Sequence, residues 1–363
     1  MDAVTISPFI AALPKVELHI HIEGTLQPAL RWKLAQRNNI PLQFKGQEYR
    51  TYEELLESYN VTYNHRPEQG GRKDVPTFLE AYFAGCEVLL HEQDFYDMAM
   101  DYFKKCKEMN VRYVEPFFDI QAHTRRGVAA EVVLNGYLRA QRDGASEHSV
   151  RSNWIFCFIR DEPVADGEAA YQVALPWAKG GHGLFHAVGL ASNAYERPPN
   201  LFHAAFKRAQ QDGLHITTHC DFGQKDTHEH MRQAIFGVEV ERIDHGLDAL
   251  DSVELCQGLV DKNIGLTLCP HAYHRRTATE VLFPKLRELL NRGVKFCINS
   301  DDPVYMHDIW IDGNMEKAYK FCGFTKSEMV QFARNAVDMC WADYTIKAEL
   351  YAELDAIVYS EES

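Results

Sequence analysis

Eight short apolar runs, separated by stretches of helical periodicity, restrict the fold of this chain more than any other feature. They are VELHIHI (16–22), VRYVEPFF (111–118), WIFCFI (154–159), LFHAVGL (184–190), HITTHC (215–220), ERIDHG (241–246), IGLTLCP (264–270) and VKFCINS (294–300). Helical periodicity lies between them, as in FYDMAMDYFKKCKEM, NLFHAAFKRAQQ and VLFPKLRELLNR. Strands that alternate with helices favour a parallel sheet, and eight is the number that closes a barrel. The expected fold class is therefore α/β, a (β/α)8 TIM-type barrel, with residues 1–363 as one domain. Residues 23–110 are too many for one crossover, so extra helices are expected after strand one, over about 25–108. C-terminal helices are expected over about 325–359. YNHRPEQGGRKDVP (63–76) reads as a polar loop and a candidate lid.

Hydrophobic residues make up 46% of the chain and charged residues 25%, enough for a sizeable core. A net charge of −14 argues against nucleic acid or an anionic membrane as the main partner. No basic start with a long apolar core marks a signal peptide, and no apolar run is long enough for a bilayer span. The nine cysteines form no C-x-x-C pair and sit in runs such as WIFCFI, which suits a reducing, cytoplasmic setting.

The unusual polar residues fall at the C-terminal ends of the expected strands, the face that carries the active site in barrels. His19 and His21 are two apart on strand one, so both imidazoles point into the mouth while Leu18, Ile20 and Ile22 face the helices. His219 ends strand five, His245 ends strand six, and Asp301 and Asp302 follow strand eight. Three imidazoles and a carboxylate can hold a divalent metal and leave a position for water, which the metal acidifies. Taken singly, H-x-H is more often a surface or core histidine than a ligand, and S-D-D is compatible with a helix cap. Four such signals in barrel order point to a metal site.

LPKVELHIHIEGTLQP, ITTHCDFGQ, ERIDHGLD, LTLCP and INSDDP together resemble the adenosine/adenine deaminase family of metal-dependent aminohydrolases. VRYVEPFFDIQAHTRRGV resembles its adenine deaminase branch. The H-x-E and P-C-x-x-C signatures of the other zinc deaminase class are not matched. The resemblance implies a (β/α)8 barrel and one Zn(2+) per chain, held by His19, His21, His219 and Asp301. It implies that His245 orients and deprotonates the water, with Asp301 assisting. It places Asp302 against the purine N7, the backbone around Ser192 near N3, and Asp119 among the substrate contacts. Glu23 stands where the nucleoside enzymes carry a ribose-binding aspartate, and its extra length resembles the free-base branch.

One motif departs from the family. After the fifth-strand histidine the family reads H-A-G-E, the glutamate protonating N1, whereas this chain has Cys220, Asp221 and Phe222. A positioned acid contributes roughly 10²–10⁴-fold, so its loss matters. Three readings stand. Asp221, two residues after His219 and on the same face of an extended strand, takes over as the acid. Alternatively the substrate is another heterocycle, an N6-substituted purine or a pterin, on which Phe222 stacks. The third is a zinc-bearing binding protein without turnover.

The loop after strand seven also departs, with CPHAYHRRT placing His271, His274, Arg275 and Arg276 near the mouth. It reads either as a solvated loop or as a site for an anionic or carbonyl-bearing group. Arg125 and Arg126 are expected at the surface, His228 and His230 are expected to open a surface helix, and Gln224 lies within reach of the site. The expected partner is a small heterocyclic substrate, and the outer helices of a barrel are compatible with a homodimer.

Overall fold

A computed structural model describes residues 4–66, 72–220 and 222–359. Asp221 and the centre of the 63–76 loop lie outside the described residues. Eight parallel strands follow the predicted runs: β1 (Lys15–Glu17), β2 (Val111–Val114), β3 (Trp154–Ile159), β4 (Phe185–Ala191), β5 (His215–Cys220), β6 (Arg242–His245), β7 (Gly265–Leu268) and β8 (Phe296–Ile298). β1 pairs with β2, and β3 to β8 each pair with the next; β2 itself pairs with Arg151–Ser152 just before β3, Phe117–Phe118 pairs with β3, and parallel bridges from Ile20 to Asp301 and from His21 to Phe117 join the two sheets. This is the α/β barrel expected from the strand count.

Two strands are shorter than their apolar runs. The run 16–22 leaves the ladder after Glu17, because Leu18 N–H donates to the Asn299 side chain at 2.8 Å instead of to a neighbouring strand. The run 111–118 splits at Pro116, which has no N–H to donate, and resumes at Phe117–Phe118 against β3.

Alternation divides β3 between two cores. Trp154, Phe156 and Phe158 pack with the helices, while Ile155 and Cys157 join Phe117, Ala187 and Ala191 in a second cluster. Beneath the site lies a buried polar layer. The Arg242 guanidinium donates to Glu115 at 2.6 Å, and Glu17 accepts from Tyr102 at 2.7 Å.

Between β1 and β2 stand helices Pro28–Asn38, Tyr52–Asn64, Phe78–Cys86 and Glu92–Glu108. The second and third start with capping boxes, Thr51 with Glu54 and Thr77 with Glu80. The fourth buries Phe95, Met98, Ala99, Tyr102, Phe103 and Cys106 at helical spacing. A small hairpin, Gln43–Phe44 with Gln47–Glu48, adds to the expected elements; its turn residues Lys45 and Gly46 both have positive φ, as a type I′ turn requires. Helices Lys326–Met339 and Tyr344–Asp355 close the chain. Among the described residues no helix is long and apolar enough to cross a membrane.

Candidate active site

The C-terminal ends of the strands converge on a cluster of histidines and aspartates. One ring nitrogen of each of His19, His21 and His219 lies within 4.8 Å of the others, and all three residues are buried. His21 Nε2 and His219 Nε2 face each other at 3.1 Å. Asp301 Oδ1 stands 3.7 Å from His19 Nε2 and 3.9 Å from His21 Nε2. Backbone bonds hold Asp301 there: its N–H donates to the His19 carbonyl at 3.0 Å, and its carbonyl accepts from His21 at 3.2 Å.

These residues fit a divalent metal. His19 Nδ1 lies 3.2 Å from the Thr267 carbonyl, which only accepts, so Nδ1 carries the proton and Nε2 presents a lone pair. Among the described residues that buried Nε2 has no hydrogen-bond partner. Burial, reinforced by the neighbouring imidazoles, holds His19 and His219 well below the ordinary histidine range, so both stay neutral. Tetrahedral donors about 2.1 Å from an ion lie about 3.4 Å apart. The observed 3.1–3.9 Å spread brackets that value.

A second layer orients this cluster. Strand register aligns His219 of β5 and Thr267 of β7 with Asp244 of β6. The fully buried Asp244 accepts from Thr217 Oγ1 at 2.7 Å and Thr267 Oγ1 at 2.9 Å, and lies 3.6 Å from His219 Nδ1. Thr267 Oγ1 also sits 2.9 Å from His19 Nδ1. On the other side His245 Nε2 is 3.9 Å from Asp301 Oδ2, and its Nδ1 is 2.9 Å from the Tyr273 hydroxyl. That hydroxyl accepts from the Cys269 N–H at 3.0 Å. Ser192, His245 and Asp301 all have left-handed backbones, with φ of 77°, 66° and 71°. Non-glycine residues in that region cluster where a side chain must be aimed at a particular point.

The cluster forms the floor of a cavity of about 770 Å³. Asp119, Ser192, Phe222, His245, Asp301 and Asp302 line it, together with His21 and His219. Phe222 is half-buried, its ring 5.4 Å from that of Tyr273. Burial, reinforced by nearby carboxylates, raises Asp119 and Asp302 well above the ordinary carboxylate range.

The adenosine deaminase family pattern matches residues 14–357. This chain belongs to the adenosine deaminase family. An uncharacterized deaminase of Schizosaccharomyces pombe is 41% identical over 341 residues, 93% of each chain. An adenine deaminase of Acinetobacter baylyi is 35% identical over 97% of this chain and 99% of its own. The crystal structure of adenine deaminase from Arthrobacter aurescens is similar at a TM-score of 0.83 and 34% identity, covering 94% of this chain and 98% of that one.

Within this deaminase fold some expectations from sequence are corrected. Glu23 is buried beside the cavity, accepting from Tyr137 at 2.9 Å, from His123 Nε2 at 3.0 Å and from the cavity-lining Tyr82 hydroxyl at 3.2 Å. His123 Nδ1 accepts from Arg126 at 2.9 Å, which sends its proton to Nε2 and so towards Glu23. Arg126 is thus a structural clamp that also holds the Ala122 and Leu89 carbonyls, whereas Arg125 pairs with Glu162 at the surface as expected. His271 is buried beneath the mouth against Lys317, and His274 accepts from or donates to Thr279; neither lines the cavity, while Arg275, Arg276 and Gln224 do. His228 is exposed on helix Thr227–Arg232, but His230 is buried. Sequence reading missed Asp244, Thr267 and Tyr273. Only strand register reveals the first two, and Tyr273 is hidden among the more conspicuous charges of CPHAYHRRT.

Proposed function

We propose that this chain is a zinc-dependent deaminase acting on a purine-like heterocycle, with adenine as the reference substrate. One observation carries the reading: buried His19, His21 and His219 present ring nitrogens within 4.8 Å of one another, with Asp301 Oδ1 3.7 Å from His19 and 3.9 Å from His21, beside a cavity that His245 and Asp302 line. Those four residues would hold the ion, and three imidazoles with one carboxylate form a donor set that suits zinc. Such an ion supplies Lewis acidity, bringing the ionisation of water towards neutral pH.

The reaction adds water to the amino-bearing ring carbon, breaks the exocyclic C–N bond and releases ammonia. His245, held at Nδ1 by Tyr273, takes a proton from the water and returns it to the departing nitrogen. The Asp301 carboxylate, 3.9 Å from His245 Nε2, steadies the positive charge that develops there. Asp302 and Asp119, inclined to be protonated, donate to acceptor atoms of the ring, and the strained backbone at Ser192 meets its far edge. Asp221, two residues after His219, is assigned the role of proton donor to the ring nitrogen.

Phe222 and the cavity volume favour a second reading within the same reaction, a heterocycle larger than adenine. The Phe222 and Tyr273 rings form an aromatic wall where the family carries a glutamate, and about 770 Å³ far exceeds a bare purine.

Ammonia release by the zinc-loaded protein against adenine, N6-substituted purines, pterins and other aminated rings tests both. Turnover with strong loss in Asp221→Asn supports the assignment. Binding without ammonia for every ring makes the chain a binding protein and sinks it.

A further inference from the structure

One part of the cavity gathers positive charge. Arg66, Arg275 and Arg276 all line it. Among the described residues Arg66 donates to the carbonyls of Tyr63 and His65, at 2.6 and 3.0 Å. Arg275 lies over the Phe78 ring, 5.5 Å from its centroid. Among the described residues no carboxylate forms an ion pair with any of the three, although the chain as a whole carries a net charge of −14. Other arginines near the site do have partners: Arg125 pairs with Glu162 and Arg242 with Glu115.

Among the described residues the buried Lys317 also makes no ion pair with a carboxylate. Lys317 Nζ donates to His271 Nδ1 at 2.8 Å, and that imidazole stacks against Tyr63. Burial and the adjacent Arg276 and Arg66 lower Arg275 to about 10, and burial alone lowers Lys317 to about 8. Arg66 and Arg275 are partly buried and Arg276 is exposed, and guanidinium forks match carboxylate and phosphate oxygens. The cavity that holds these arginines also holds His245 and Asp301, and Asp301 is near enough to act electrostatically on Arg275.

We infer that the substrate is a heterocycle bearing an anionic group, carboxylate or phosphate, on a substituent that reaches Arg66, Arg275 and Arg276. This deepens the proposed deaminase reading and rests on it for the position of the ring. The extra volume then accommodates the substituent, and the arginines select its charge.

The test uses adenines carrying a short chain ended by carboxylate, phosphonate or methyl, placed at N9 in one set and at the exocyclic nitrogen in another. Their affinities for the zinc-loaded protein are measured by calorimetry at low and high salt, and ammonia is assayed in the same samples. In at least one set an anionic chain should bind roughly tenfold or more tighter than its methyl counterpart. Comparison of the two anions identifies which group the site prefers. High salt and the double variant Arg275→Ala/Arg276→Ala should each collapse that preference; the salt series decides if the variant folds poorly. Equal or absent binding of charged and neutral chains in both sets overturns the inference, as does a preference that survives salt and arginine removal. Ammonia from neutral rings without any anion preference defeats this inference alone. An anion preference without ammonia defeats the deaminase reading and leaves the anion site standing.

Discussion

Asp244→Asn should weaken metal binding while leaving the barrel folded. The carboxylate touches no proposed ligand at hydrogen-bond distance, yet it backs two of them, lying 3.6 Å from His219 Nδ1 and joined to His19 through Thr267 Oγ1. Asparagine keeps the shape but removes the negative charge and turns one acceptor oxygen into a donor amide. One of the 2.7 and 2.9 Å bonds from Thr217 and Thr267 must then be lost or reversed. Loss of such an outer partner typically costs about 10–100-fold in metal affinity, or about 1.4–2.8 kcal/mol. The fold survives because Arg242 retains Glu115 at 2.6 Å, so no buried charge is stranded. Competition with a zinc chelator gives the affinity, and circular dichroism checks the fold. A dissociation constant within about twofold of the unaltered protein would show that Asp244 does not orient the ligands.

Three further outcomes are expected. Tyr273→Phe removes one neutral hydrogen bond to His245 Nδ1, so kcat for the substrate found by ammonia release should fall roughly tenfold with KM little changed; a shift confined to KM would place Tyr273 in binding instead. Gly24→Ala would bring a Cβ within 2.8 Å of Asp302 Cγ and 3.0 Å of its Cα, forcing that residue out of place. Its kcat/KM should drop on the order of 10²-fold, and near-normal activity would refute the role of Asp302. Burial lowers Lys15 from 10.5 to about 8, so between those values the unfolded chain binds more protons and stability rises with pH. Urea titrations of Lys15→Met across that window should lack the rise seen in the unaltered protein.

Much of this site is legible in the amino-acid sequence, for a physical reason. A parallel barrel buries both faces of its strands, so polar residues that end apolar runs must gather at one rim. His19, His21, His219, His245 and Asp301 stand out in sequence for that reason, and the fold brings them together. What sequence does not reveal depends on lateral neighbours. Asp244 lies one residue before His245 in the same run, and its partners belong to β5 and β7, so only strand register connects them. Glu23 is held by Tyr137 and His123, partners far along the chain that local sequence does not reveal. Pro116 is a visible break in the second run, and there the local rule outweighs the continuous apolar pattern.

The most direct test of the account is ammonia production by purified, zinc-loaded protein across neutral and anion-bearing adenines and related aminated rings. The account predicts turnover of at least one member, abolished in His219→Ala, with the preferred substrate bearing a negative charge. No ammonia from any ring, with zinc bound and the fold intact, would contradict it.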